Sequence, residues 1–290
     1  MEISEVFVVG SGTMGNGIAQ VCAQSGISVI LNDLSEDVLE KAVRNIKWSV
    51  SKFVEKGKLS ESVDDIMARI KTSTEYEAAA NADLVIEAVF ESLEVKHNVF
   101  GKLAPIVGQD TILASNTSAI PISQIAAVVS RPENFIGLHF FNPVPMLKAV
   151  EVIRGISTGD DAFQYGADFV RYIGKEPIMV KRDLAGFILN RINMLSNMEA
   201  MRLVEQGVAS AEDIDKGMRL AFGRKMGPLE TSDLVGLEVG LMAYTNVYEE
   251  EKDLRFYPPS IMRRKVLAGH LGRKTGKGWY EYNPDGSKKS

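Results

Sequence analysis

Strands alternating with helices up to about residue 180, a glycine-rich turn after the first strand, and an uninterrupted helical rhythm beyond Asp183 predict two units. The first, residues 1–184, is an α/β unit carrying a helical arm at about residues 36–70. The second, residues 185–290, is all-helical. At 290 residues, two units also fit the usual size of a domain.

The elements follow in order. Glu5–Val9 is a short β-rich run ending in Gly10-Ser-Gly12-Thr-Met-Gly15, and a helix then runs to a stop at Gly26. Residues 27–31 form the next strand, which ends in Asn32-Asp33. Residues 35–69 read as two helical pieces broken near Gly57, with a cap at Ser60; that is too long for an ordinary crossover and predicts an arm of paired helices. Strands return at 84–88, 112–114, 135–138, 148–153 and 178–180, separated by helices at 94–103, 122–129 and 163–173. Beyond Asp183 the helices span about 187–205, from a cap at Ser210 onward, 232–250 and 259–268, before a basic, glycine-rich tail, Gly272 to Tyr280.

Composition narrows the function. The formal charge is −5, which argues against nucleic-acid binding through a broad basic surface. The single cysteine, Cys22, excludes an intrachain disulfide and a cysteine-rich metal site, so no metal is expected. The acidic start does not read as a signal peptide, and no apolar run approaches 18 residues, so no membrane span is expected; a cytoplasmic protein is the simplest reading.

The glycine motif carries the first functional signal. Gly10 permits a tight turn, Gly12 lets backbone approach a pyrophosphate, and Gly15 lets helix and strand pack closely. The following helix offers unpaired N–H groups to phosphates. Alone, GxGxxG also serves as a plain turn; between a strand and a helix it predicts a Rossmann-type dinucleotide site. Asp33, at the end of the second strand, suits the two ribose hydroxyls and would repel a 2′-phosphate, favouring NAD over NADP. A capping aspartate is the plainer alternative.

Of three histidines, His97 sits in a charged helical pattern and reads as solvated, while His270 precedes the tail. His139 directly follows the 135–138 strand, at the end where open α/β sheets collect chemistry. Imidazole suits removal of a hydroxyl proton near neutral pH. Glu151, twelve residues on, lies inside an apolar strand where a carboxylate is costly unless paired, and pairing with His139 would orient the ring. Ser115 to Ser118 follow the 112–114 strand at the same rim. Asn190 lies one turn into the first long helix of the second unit, where a substrate oxygen is one partner for its amide.

Gly10-x-Gly12-x-x-Gly15, Asp33, Ser115-Asn-Thr-Ser118, His139-Phe-Phe-Asn142-Pro-Val-Pro145, Glu151, Gly186-Phe-Ile-x-Asn190-Arg191 and Gly227-Pro-Leu-Glu closely resemble the 3-hydroxyacyl-CoA dehydrogenase family, its short bacterial 3-hydroxybutyryl-CoA members most of all. The resemblance spans essentially the whole chain. It implies reversible, NAD-dependent oxidation of (S)-3-hydroxybutyryl-CoA to acetoacetyl-CoA in a homodimer formed through the helical unit. His139 would be the general base, held by Glu151, with Ser118 and Asn190 at the reacting oxygen. NAD would meet Gly10, Gly12, Thr13, Met14, Gly15, Asp33, Ala88, Glu91, Lys96, Asn116, Ser118, Asn142 and Lys274. Coenzyme A would meet Ser49, Lys52, Lys56, Ser118, Asn142 and Asn190.

The chain departs from the family at Ala185, where proline would stiffen entry to the helix, and at Glu238, where aspartate is usual. Residues 40–58 carry six cations against Glu40 and Glu55, a net +4 that can attract a phosphate-bearing ligand or simply be a solvated helix face. A dehydrogenase of a sugar acid or another 3-hydroxy acid without coenzyme A would need no such arm. A non-catalytic nucleotide sensor would need none of His139, Glu151 and Asn190. Leu237, Leu241 and Met242 could serve either the helical core or a dimer contact.

Overall fold

A computed structural model describes residues 3–289. The chain divides into two compact units, Met1–Leu184 and Ala185–Ser290.

The first unit runs β1 (Glu5–Val9), α1 (Thr13–Gln24), β2 (Ser28–Asn32), α2 (Glu36–Glu55), α3 (Val63–Met67), β3 (Ile70–Ser73), β4 (Leu84–Glu87), α4 (Leu93–Leu103), β5 (Ile112–Ser115), α5 (Ile122–Ile125), β6 (Phe135–Phe140), β7 (Ala149–Arg154), α6 (Asp160–Tyr172) and β8 (Glu176–Val180). The strands form one sheet in the order β3-β2-β1-β4-β5-β6-β7-β8, parallel throughout except for β6 against β7. The central strands are buried on both faces, which is why they read as continuous apolar runs. From β1 the chain winds outward through β2 and β3, then returns to place β4 on the other side. That reversal opens a crevice at the carboxyl ends of β1 and β4, where the glycine turn lies.

Gly15 is required there by close approach: a Cβ on it would lie 1.7 Å from the carbonyl oxygen of Gly10. Helix α1 therefore presses onto the turn, and its first residues follow Gly12 with no side-chain cap.

The 36–70 segment forms the two helical pieces expected, with the break at Gly57 between them, and both pack against the core. Helix α2 buries Leu39, Ala42, Ile46 and Val50 in the core beneath the sheet, α3 is a single short turn, and the segment ends in β3, paired with β2. That strand escaped the sequence reading because Ile-Lys-Thr-Ser has neither an apolar run nor clean alternation. The cap of α3 is Ser62, whose Oγ accepts from the Asp65 N–H at 3.1 Å, rather than Ser60.

The second unit contains α7 (Leu189–Glu205), α8 (Ala211–Phe222), α9 (Pro228–Val235), α10 (Leu237–Glu251) and α11 (Ser260–Leu267). The expected 232–250 helix is two helices, because Gly236 adopts φ +104°, outside helical geometry. Helix α7 begins at Leu189 because Phe187 is left-handed at φ +46°, so Asn190 stands in its first turn. Met194, Met198, Met201, Leu229, Val247, Phe256 and Met262 build the core. The tail is not a free loop: buried Asp233 accepts from the backbone N–H groups of Trp279 and Tyr280 and from the Tyr282 hydroxyl. Leu237 is buried, whereas Leu234, Val235, Val239 and Met242 are exposed.

Gly15→Ala should destabilise the protein by about 1–3 kcal/mol, read by urea unfolding, because the added methyl has to displace backbone.

Candidate active site

The sheet's one antiparallel pairing sets His139 directly opposite Glu151. Strand β6 runs two residues further than the sequence suggested, so His139 lies within the strand rather than after it. Its Nδ1 stands 2.7 Å from Oε2 of Glu151, which is 0% exposed; His139 is only 5% exposed. A carboxylate only accepts, so Nδ1 carries the proton and Nε2 the lone pair. The Phe141 ring packs against the imidazole at 4.4 Å between centroids.

His139 borders a cavity of about 350 Å³ together with Met14, Ala88, Glu91, Asn116, Ser118 and Asn142. These residues sit at the carboxyl ends of β4, β5 and β6 and the start of α1. Asn116 is oriented by its Oδ1, which accepts the Phe140 N–H at 2.9 Å. Ser118 donates to Oε1 of Glu91 from its N–H at 2.8 Å and its hydroxyl at 3.3 Å, alongside the Thr117 hydroxyl at 2.7 Å and the Ala119 N–H at 3.0 Å.

Glu91 belongs to a wider charge cluster. Lys96, 1% exposed, places Nζ 2.7 Å from Oε1 of Glu87 and 3.2 Å from Oε2 of Glu91. Glu87 also accepts from the Ser115 hydroxyl at 2.6 Å and the Val89 N–H at 2.7 Å. Lys96 thus orders the cavity's rim from below. Burial alone would raise the Glu91 carboxyl, but the Lys96 ammonium and the donors from Thr117 and Ser118 outweigh it and hold it below its usual range. Glu87 was missed in the sequence, although a carboxylate ending an apolar strand carries the same signal that singled out Glu151.

The glycine turn fits a dinucleotide. Nothing approaches within 4 Å of a Cβ placed on Gly12, the first turn of α1 has neither a side-chain cap nor an acidic residue, and Thr13 and Met14 open the helix there. Asp33 closes β2, where Oδ2 accepts from Ser11 N–H and Oγ, both at 2.7 Å, and Oδ1 accepts from Leu34 N–H. It therefore also braces the turn. Among the described residues no cluster of three or more His, Cys, Asp or Glu is placed to hold a metal ion, and no helix is long and apolar enough to cross a membrane.

Other expected residues are more scattered. Ser49, Lys52 and Lys56 follow one another along α2 and its end, and Lys52 pairs with Glu55 at 2.8 Å. The +4 count of the α2 stretch overstates its free charge, since Lys47 pairs with Asp64 of α3, which lies outside the counted residues. His97 is not simply solvated: its Nε2 lies 2.8 Å from the Gln124 carbonyl. In the second unit Asn190 borders a cavity of about 200 Å³ with Met194, Asn197 and Tyr244, and Lys274 pairs with Glu238. Arg191 ties the carbonyl of buried Ala185 to Glu251, at 3.0 and 2.9 Å. Burial pushes the Cys22 thiol up to about 12 against the opposing pull of Lys175, which removes it as a nucleophile.

The 3-hydroxyacyl-CoA dehydrogenase NAD binding domain matches residues 5–184, and the C-terminal domain of the same family matches residues 186–282. The chain belongs to the 3-hydroxyacyl-CoA dehydrogenase family. It is 41% identical to a probable 3-hydroxybutyryl-CoA dehydrogenase of Deinococcus radiodurans, over 95% of this chain and 99% of that one. It is 40% identical to a 3-hydroxybutyryl-CoA dehydrogenase of Bradyrhizobium diazoefficiens, over 97% and 96%. The crystal structure of (S)-3-hydroxybutyryl-CoA dehydrogenase PaaH1 from Ralstonia eutropha superposes with a TM-score of 0.94 at 42% identity, covering 97% of this chain and 100% of that one. The family's NAD-binding domain thus coincides with the unit that holds the His139–Glu151 pair.

Because the Glu91 carboxyl is lowered in the fold, its stabilising contribution is complete above its usual value of 4.5 and is lost as pH falls through the lower folded value. Melting curves at neutral pH and at about pH 3 should therefore show a smaller acid loss in Glu91→Gln than in the parent. Lys96→Met should cost about 3–5 kcal/mol in denaturant titrations, since it leaves a buried carboxylate unpaired.

Proposed function

We propose that this protein catalyses the reversible NAD-dependent oxidation of (S)-3-hydroxybutyryl-CoA to acetoacetyl-CoA. The observation that carries the reading is the buried 2.7 Å His139–Glu151 pair, opening onto a cavity shared with Ser118, Asn116 and Asn142. When bound, NAD supplies the hydride acceptor for the oxidation and, as NADH, the donor for the reverse reaction. Gly10, Gly12, Thr13, Met14 and Gly15 would hold its pyrophosphate and Asp33 its ribose, with Ala88, Glu91 and Asn142 bordering the nicotinamide.

Nε2 of His139 takes the proton of the 3-hydroxyl as the alcohol is oxidised. Glu151 keeps the ring in the required tautomer and stabilises the imidazolium that forms. In reverse, the imidazolium returns the proton to the oxygen. The Ser118 hydroxyl, turning from its 3.3 Å contact with Glu91, steadies that oxygen where charge develops, while Glu91 keeps the Ser118 backbone in place through its N–H. On the family pattern alone, Asn190 supplies a second hydrogen bond to the same atom. The protein is also proposed to be a homodimer through the helical unit, where Leu234, Val235, Val239 and Met242 leave an apolar surface on α9 and α10.

NADH oxidation should be fast with acetoacetyl-CoA and slow with free acetoacetate or with NADPH; turnover of the free acid alone would point instead to a hydroxy-acid dehydrogenase. His139→Gln should lower kcat by about 10²–10⁴-fold while leaving NADH affinity within a few-fold. Undiminished turnover would remove His139 as the base. Met242→Glu should shift a sedimenting dimer toward monomer.

A further inference from the structure

Lys175 lies between α6 and β8 and is buried, yet among the described residues it makes no ion pair with a carboxylate. Burying an ammonium without a counter-charge is costly, and burial holds this one below the ordinary lysine value. Its Nζ donates instead to two backbone carbonyls, those of Val144 at 2.6 Å and Leu147 at 2.7 Å. Both belong to the loop between β6, which carries His139, and β7, which carries Glu151.

That loop is tied into one piece. The Pro143 carbonyl accepts the N–H groups of Met146 at 3.0 Å and Leu147 at 3.1 Å, closing residues 143–147 into a compact turn. Val144 presses on α1, where a Cβ on Gly17 would lie 2.6 Å from the Val144 Cβ. At the loop's end the Lys148 carbonyl accepts the Glu176 N–H at 2.9 Å, next to Lys175 in the chain. A shift of the turn would therefore carry with it the residue that precedes Pro143.

That residue is Asn142, which borders the dyad cavity. The other polar groups there have anchors of their own: Ser118 donates to Glu91, Asn116 accepts from the Phe140 N–H, and His139 pairs with Glu151. The exposed Asn142 carboxamide has no hydrogen-bond partner among the described residues, so its place follows from the loop's backbone.

We infer that Lys175 is a positioning residue for Asn142: by gripping the carbonyls of Val144 and Leu147, it sets the loop so that the Asn142 carboxamide borders the dyad cavity. Lys175 itself lines no wall of that cavity. The task of Asn142 beside the nicotinamide rests on the dehydrogenase reading above.

The test is a double-mutant cycle of Lys175→Met with Asn142→Ala in the full-length protein, reading turnover of acetoacetyl-CoA per NADH-binding site. Lys175→Met should lower kcat by about ten- to a hundredfold, the size of effect that a small misplacement of a positioned group produces. In the Asn142→Ala background the same change should cost no more than about twofold. Losses that multiply would show that Lys175 does not act through Asn142 and would overturn the inference, as would unchanged turnover. A merely structural lysine would lower the number of NADH-binding sites and leave turnover per site intact, which overturns it equally. Lys175→Gln, which keeps a donor, carries the same comparison should the methionine variant not fold, with a smaller loss and the same dependence on Asn142. Hydrogen exchange reads the grip without activity: the Met146 and Leu147 amides should exchange about tenfold faster or more in the Lys175 variant, with the β6–β7 ladder unchanged. A parent that fails to turn over acetoacetyl-CoA would overturn the dehydrogenase reading. Exchange would then decide the grip by itself, and unaltered exchange would overturn it.

Discussion

One reversal of strand direction organises the chemistry of this protein. Were β7 parallel to β6, the chain would need a long crossover between them, and residues twelve apart could not face each other. Antiparallel pairing lets an eight-residue turn join the strands, and its register sets His139 against Glu151. Both side chains therefore inherit their positions from backbone hydrogen bonds on a buried ladder. Flanking strands on both sides stop the pair from drifting apart. The cost of burying a carboxylate is offset because its partner is fixed within 2.7 Å.

The same logic recurs one strand away. Glu87 ends β4 in a buried setting and is neutralised by Lys96 from α4, which also reaches Glu91. Through Glu91 the cluster fixes Thr117, Ser118 and Ala119, the turn that borders the dyad cavity. Two buried polar arrangements thus frame the cavity: one carries the imidazole, and the other holds its rim. Between them they hold both sides of the cavity in place.

Much of the fold was legible because its signals were local. Apolar runs marked the central strands, glycines marked the crevice turn, and Ser210 announced α8 by a cap that the structure contains, accepting from the Asp213 N–H at 3.0 Å. Where the reading failed, the decisive forces were not local. The edge strand β3 exists because β2 offers it a hydrogen-bonding partner. The split between α9 and α10 turns on one glycine dihedral, which composition does not reveal. Charge counting along α2 overstated the free charge because Asp64, from another helix, neutralises Lys47.

By itself, the sequence determined the glycine turn, the acid that closes β2, the presence of a histidine and a glutamate needing one another, and the helical character of the second unit. Each follows from residue chemistry acting over a few neighbours. Tertiary structure alone decided the register that opposes His139 and Glu151, the threefold sharing among Glu87, Lys96 and Glu91, and the two loop carbonyls that Lys175 reaches. These depend on groups that the chain brings together from distant positions, and burial, which gives a charge or an amide its need for a partner, is a property of the packed fold.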